Sequence, residues 1–181
     1  YDDSSVYYSF IPFGDDSVEI ELLETTSGNY GKLVKSNIAE SWAGVTLSNE
    51  TGLVNTIPVT SSNSKMYVHL NVENTSITNI PVRLKIENSN DPTQSVETEA
   101  FTTVTDQWEV LEFNFNNEAT GTAALNENYP FDMVSIFFNF GSSGDNQTVY
   151  NFDNISFGSP ISLSTNSSIL SSYKVYPNPF V

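Results

Sequence analysis

The chain of 181 residues has no cysteine and a single histidine, His69. Without cysteine there are no disulfides and no thiol nucleophiles. Zinc sites built on several Cys or His ligands are excluded as well. A Ser-His-Asp triad would have to use His69, and no Gly-x-Ser-x-Gly elbow accompanies it. Positive charge is scarce: 6 Lys and Arg stand against 22 Asp and Glu, for a formal net charge of -16. A field of that sign disfavours nucleic acid and anionic membrane surfaces. The excess acid has two readings, solubility of a secreted protein and carboxylates set aside for calcium. No run approaches the ~18 consecutive apolar residues of a membrane-spanning helix. Gly141-Ser142-Ser143-Gly144 lacks the Lys-Ser/Thr pair and following helix of a phosphate loop, and reads as a hairpin loop.

What is present is strand-forming chemistry: Thr, Val and Phe among polar Ser and Asn, with only 15% of residues charged. Strands are expected at 18–23, 31–35, 41–47, 66–72, 81–87, 96–104, 108–115, 133–140 and 149–157, separated by Gly-, Asn- and Ser-rich turns. The one helix-compatible stretch, Ala119 to Leu125, is too short to stand alone. Many short strands at this spacing predict an all-β sandwich or barrel. A domain near 150 residues buries roughly 68–70% of its unfolded surface, so it needs no staples. The expected organisation is a lead-in over 1–9, a β-sandwich over 10–158, a Ser/Thr-rich linker over 159–172 and a new apolar segment over 173–181. The chain opens at Tyr1 without a signal-peptide pattern, so it reads as a processed product or an excised piece.

Four segments alternate with period two, the mark of a strand with one buried face. Ala43, Val45 and Leu47 face one way and Trp42, Gly44 and Thr46 the other. Met66, Val68, Leu70 and Val72 oppose Tyr67, His69 and Asn71, and Val82, Leu84 and Ile86 oppose Arg83, Lys85 and Glu87. Val134, Ile136, Phe138 and Phe140 oppose Met133, Ser135, Phe137 and Asn139. If these strands share a sheet, its outer face carries Trp42, Tyr67, His69, Arg83, Lys85, Glu87, Phe137 and Asn139. Aromatic plates among polar forks suit a sugar polymer. Stacking a pyranose on a Trp buries roughly 80 Å² of apolar area, worth about 2 kcal/mol before entropy costs. Arg83, Glu87 and Asn139 can each engage neighbouring hydroxyls with two groups. The plainer reading is that His69, Arg83 and Lys85 pair with acids on an ordinary exposed sheet. Trp108 reads as an anchor of the opposite sheet. Glu19, Glu21, Glu87, Glu97 and Glu99 could supply the carboxylate pair of a glycosidase, about 5–9 Å apart. Acids at alternate strand positions are more simply a solvated face. Tyr67, His69 and Arg83 make a lyase conceivable.

Two resemblances sharpen this reading. Val175-Tyr176-Pro177-Asn178-Pro179 resembles the start of the C-terminal sorting domain of the type IX secretion system of Bacteroidota. It implies an extracellular or cell-surface protein. The segments 41–45, 82–87, 102–115, 136–141 and 150–155, in this order, resemble a jelly-roll carbohydrate-binding module. More narrowly, they are similar to modules of surface glycan-binding and laminarinase-associated proteins of marine Bacteroidota. That resemblance implies a jelly-roll β-sandwich of two antiparallel sheets with a concave glycan face and a structural Ca2+. Carried over, Trp42, Arg83, Glu87 and Asn139 lie on the binding face, and Asp153 ligates calcium together with Asp15 or Asp16. Calcium takes roughly 6–8 oxygens, several of them backbone carbonyls, so one or two acids suffice. The expected function is non-catalytic binding of a β-glucan such as laminarin, by a monomeric module of a larger secreted protein. An anionic glycan such as alginate is the rival ligand, and a small glycoside hydrolase or lyase the rival class.

Overall fold

The computed structural model describes residues 9–14, 18–25, 28–48 and 50–161. Nearly all of the lead-in and linker, the whole sorting-domain resemblance, Asp15 and Asp16 lie outside these residues. Within them are ten strands and no helix: β1 (Ile11–Phe13), β2 (Val18–Thr25), β3 (Gly28–Lys35), β4 (Gly44–Thr46), β5 (Lys65–Glu73), β6 (Pro81–Asn88), β7 (Asp91–Phe101), β8 (Trp108–Asn114), β9 (Met133–Phe138) and β10 (Val149–Phe157). They form two five-stranded sheets. The first has the order β1-β4-β9-β6-β7 and the second β2-β3-β10-β5-β8, with every pair antiparallel. The chain repeatedly crosses from one sheet to the other, and the result is a jelly-roll β-sandwich.

Alternating apolar residues meet between the sheets. Val45, Val82, Leu84, Ile86, Val134, Ile136 and Phe138 come from the first sheet, and Met66, Val68, Leu70, Leu111, Phe113 and Phe152 from the second. Phe138 spans the gap, stacked on Tyr150 at 4.9 Å and tilted against Phe152 at 5.4 Å between ring centroids. Burying each such side chain contributes about 1.5–3 kcal/mol.

The expected strands form, with one consequential error of grouping. β5 belongs to the second sheet, so it does not share a face with β4, β6 and β9. Alternation reports which face of a strand is buried. In a sandwich the inner faces of both sheets meet one core, so the same pattern fits either sheet. β1 escapes the sequence pattern because Pro12 interrupts three residues, yet Pro is tolerated on an edge strand. The stretch Ala119 to Leu125 makes a turn, closed by Thr122 N–H donating to Ala119 O at 3.0 Å.

Candidate functional site

The outer face of the first sheet carries a groove of about 490 Å³ lined by aromatic and polar side chains. Register places Ile11, Thr46, Ser135, Lys85 and Glu97 in one row across all five strands. The next row aligns Phe137, Arg83 and Glu99, and at the edge Phe13 faces Gly44. A Cβ on Gly44 would meet Ile136 O and the tip of the Phe13 ring, so glycine there lets Phe13 lie against the sheet.

Four aromatic rings line the groove: Phe13, Trp42, Phe137 and Phe140. Phe13 and Trp42 lie in nearly parallel planes, 11° apart with centroids at 6.4 Å. Phe137 meets Phe13 edge-on at 5.2 Å and Phe140 at 5.7 Å. Trp42, in the turn before β4, is 49% exposed, a large apolar plate offered to solvent.

The polar groups are interlocked. Arg83 donates from Nη1 to Glu97 Oε2 at 2.9 Å and from Nε and Nη2 to Glu99 Oε1 at 3.0 and 2.7 Å. Its Cζ lies 3.5 Å from the centroid of Phe140, a cation–π contact. Lys85 Nζ pairs with Glu87 Oε2 at 2.6 Å. The hydroxyls of Thr46 and Ser135 are 2.9 Å apart. Two cations thus face three carboxylates, and each cation is paired.

Of the eight residues expected to share a face, Trp42, Arg83, Lys85, Glu87 and Phe137 line the groove. Tyr67 and His69 do not; they sit on the outer face of the second sheet, because β5 pairs with β8 and β10. Tyr67 donates to Glu112 Oε2 at 3.2 Å, and desolvation, helped by Glu112, pushes its phenol pKa up. His69 is 2% exposed; its Nε2 donates to Ile161 O at 2.8 Å and its Nδ1 accepts from Asn154 Nδ2 at 3.4 Å. Burial pushes its pKa down, against the opposing pull of the Ile161 carbonyl and Asp153.

Asn139 also departs from expectation. β9 ends at Phe138, Asn139 takes the left-handed φ of 49°, and its side chain donates to Ser143 O at 3.2 Å to close the loop. That reversal turns Phe140, expected inside, out to the groove wall. Thr46 and Ser135 line the groove from the outward faces assigned to them, and Glu97, considered only as a glycosidase carboxylate, joins them; Phe13, Thr122 and Phe140 are groove residues that the sequence reading did not place there. Trp108 lies, as read, on the opposite sheet: on β8, 38% exposed, it packs edge-on against Tyr30 at 5.6 Å.

Asp153 lies opposite His69 on the second sheet and accepts from Asn154 Nδ2 at 2.9 Å. Among the described residues no group of three or more Asp, Glu or His side chains gathers as metal ligands. Asp15 and Asp16, the acids expected to join Asp153 in a calcium site, lie outside the described residues.

No family model matches the sequence. No curated protein matches it either. Solved structures share its architecture. A family 30 carbohydrate-binding module superposes with a TM-score of 0.57 at 10% identity, over 94% of this chain and 91% of its own. The family 11 carbohydrate-binding module of the cellulosomal cellulase Lic26A-Cel5E of Clostridium thermocellum gives 0.52 at 15% identity, over 85% and 89%. At such identities the likeness is one of fold.

Proposed function

We propose that this domain binds a polysaccharide without cleaving it, in the groove on the outer face of the first sheet. The observation that carries the reading is the convergence of Phe13, Trp42, Phe137 and Phe140 with hydrogen-bonding groups from β4, β6, β7 and β9 in one open groove. Rings stack on the apolar faces of sugars while the charged forks meet their hydroxyls. The carbohydrate-binding modules that share the fold support the class of ligand.

The ligand we infer is a neutral β-glucan such as laminarin. Arg83 and Lys85 are held by Glu97, Glu99 and Glu87, so among the described residues the groove presents no unpaired cation to a uronate. The same pairing supports binding over catalysis, since both carboxylates that line the groove are engaged by cations. Calcium on Asp153 with Asp15 or Asp16, and export to the cell surface through a type IX sorting domain begun at 173–181, complete the proposal. A chelator that lowers Tm, with recovery on added Ca2+, would support the metal.

Calorimetric titration with laminarin tests the ligand, run beside an assay of reducing ends after long incubation. Saturable heat with no new reducing ends is the expected result. Absence of heat with laminarin but saturation with alginate would replace the ligand, and release of reducing ends would replace the class.

A further inference from the structure

Lys35, the last residue of β3, is only 1% exposed. Its ammonium has no carboxylate partner among the described residues. It donates instead to four backbone carbonyls: Ser142 O at 2.6 Å, Ser41 O at 3.2 Å, Phe138 O at 3.4 Å and Asn139 O at 3.5 Å. Ser41 belongs to the loop 36–43 before β4, Asn139 and Ser142 to the loop 139–148 after β9, and Phe138 is the last residue of β9 itself. The loops are also tied through their backbones, by Gly144 N–H to Ser36 O at 2.8 Å and Gly141 N–H to Ser41 O at 3.0 Å, and the second loop is tied to the end of β3 by Asn146 N–H to Lys35 O at 3.2 Å. A Cβ on Gly144 would collide with the Lys35 carbonyl, so the loops approach as closely as backbone allows.

The position of the acceptors is what matters. Ser41 immediately precedes Trp42, Asn139 immediately precedes Phe140, and Phe138 follows Phe137. One buried ammonium therefore holds the backbone beside three of the four groove aromatics. It lines no part of the groove itself. Isolated buried ammonium groups are costly, and the sandwich core has no use for this one. We propose that Lys35 is a positioning residue for the groove: its ammonium clamps the two loops that carry Trp42 and Phe140, and so sets polysaccharide affinity without touching the ligand. This rests on the groove being the glycan site.

Titration gives the clamp a signature. Burial brings the Lys35 pKa down to about 8. The neutral amine keeps two N–H donors and turns a lone pair toward a ring of carbonyl oxygens, so the grip loosens as pH rises through that value. The surrounding elements bring few other titratable groups. Glu40 lies on the first loop. Asp145 lies on the second, its carboxylate taken by Thr148 and Gln147. Tyr150 lies on β10, where burial pushes its phenol pKa up, and β2 places Val18 opposite Lys35.

The test uses Trp42 as its own reporter, in a Trp108→Phe background where it is the remaining tryptophan. Its emission and laminarin affinity are followed from about pH 6.5 to about pH 9, with and without Lys35→Met. The parent is expected to show a sigmoidal change in Trp42 emission with a midpoint near 8 and a parallel fall in affinity. Lys35→Met should be flat in both and bind roughly fivefold or more weakly at the lower pH. A flat parent, or a Lys35→Met variant that binds like the parent, overturns the proposal. If Trp42 titrates in the parent and not in the variant while laminarin gives no heat at any pH, the clamp stands and the glycan reading falls. Circular dichroism verifies folding. Should Lys35→Met fail it, Lys35→Gln takes its place, and the pH profile of the parent decides by itself.

Discussion

Trp42 and Arg83 contribute to the groove by different physics. Trp42 offers half-exposed apolar area at little conformational cost, so its removal deletes stacking without disturbing the core. Trp42→Ala should weaken laminarin binding roughly 10- to 30-fold, the equivalent of about 2 kcal/mol, with Tm nearly unchanged; titration and thermal melts read both. Arg83 is already held by two carboxylates and an aromatic face, so it is pre-organised to address hydroxyls from a fixed position. Two buried bases contribute to the pH dependence of stability. The pKa of His69 is lowered from 6.5, so the unfolded state binds the proton first, and stability is lost as pH falls through and below about 6.5. Lys35 is lowered from 10.5 to about 8, so the unfolded state holds its proton longer and stability should rise from about pH 8 to about pH 9, above which unfolded tyrosines begin to ionise and oppose the gain. The limiting slope is about 1.4 kcal/mol per pH unit, and Lys35→Met should abolish it in denaturant melts. Stability and glycan affinity would then move in opposite directions over that window.

Strands and their ends decide which of these residues meet. Asn139 shows how one backbone position re-aims a side chain: its φ of 49° ends β9 and turns Phe140 to the groove. Asn139→Gly, which adopts that conformation freely, should keep laminarin affinity. Asn139→Val should lose about 1–2 kcal/mol of stability and bind more weakly, as melts and titrations would show. The sequence pattern alone made Val134, Ile136 and Phe138 legible as core, because the pleat forces alternation while the strand lasts. It could not reveal that the strand stops one residue before Asn139, since left-handed backbone leaves no trace in hydrophobic periodicity. Likewise Arg83, Lys85, Glu87 and Phe137 were legible as neighbours on one face. Tyr67 and His69 were not separable from them, because hydrogen-bond pairing rather than alternation assigns β5 to a sheet. Phe13 stayed hidden by its short, proline-containing edge strand, and Lys35 by its exposed-looking charge at the end of an apolar strand.

For the whole molecule, the contrast lies between a surface of formal net charge -16 and a groove in which the cations are neutralised pair by pair. Such a surface repels polyanions at long range, and salt screens the repulsion beyond about 8 Å. Binding of a neutral glucan should therefore hold constant within roughly twofold from low to high ionic strength, whereas uronate binding would change with salt; titration at several salt concentrations separates the two. The sandwich also has two outer faces, each with an exposed tryptophan, Trp42 on the first sheet and Trp108 on the second. The central claim is that polysaccharide is taken by the first. The most direct measurement is a matched set of laminarin titrations of the parent, Trp42→Ala and Trp108→Ala at one pH and salt. Saturable heat is expected in the parent, with binding strongly weakened by Trp42→Ala and left intact by Trp108→Ala. Binding that survives Trp42→Ala and is lost in Trp108→Ala would contradict that claim and move the site to the opposite face.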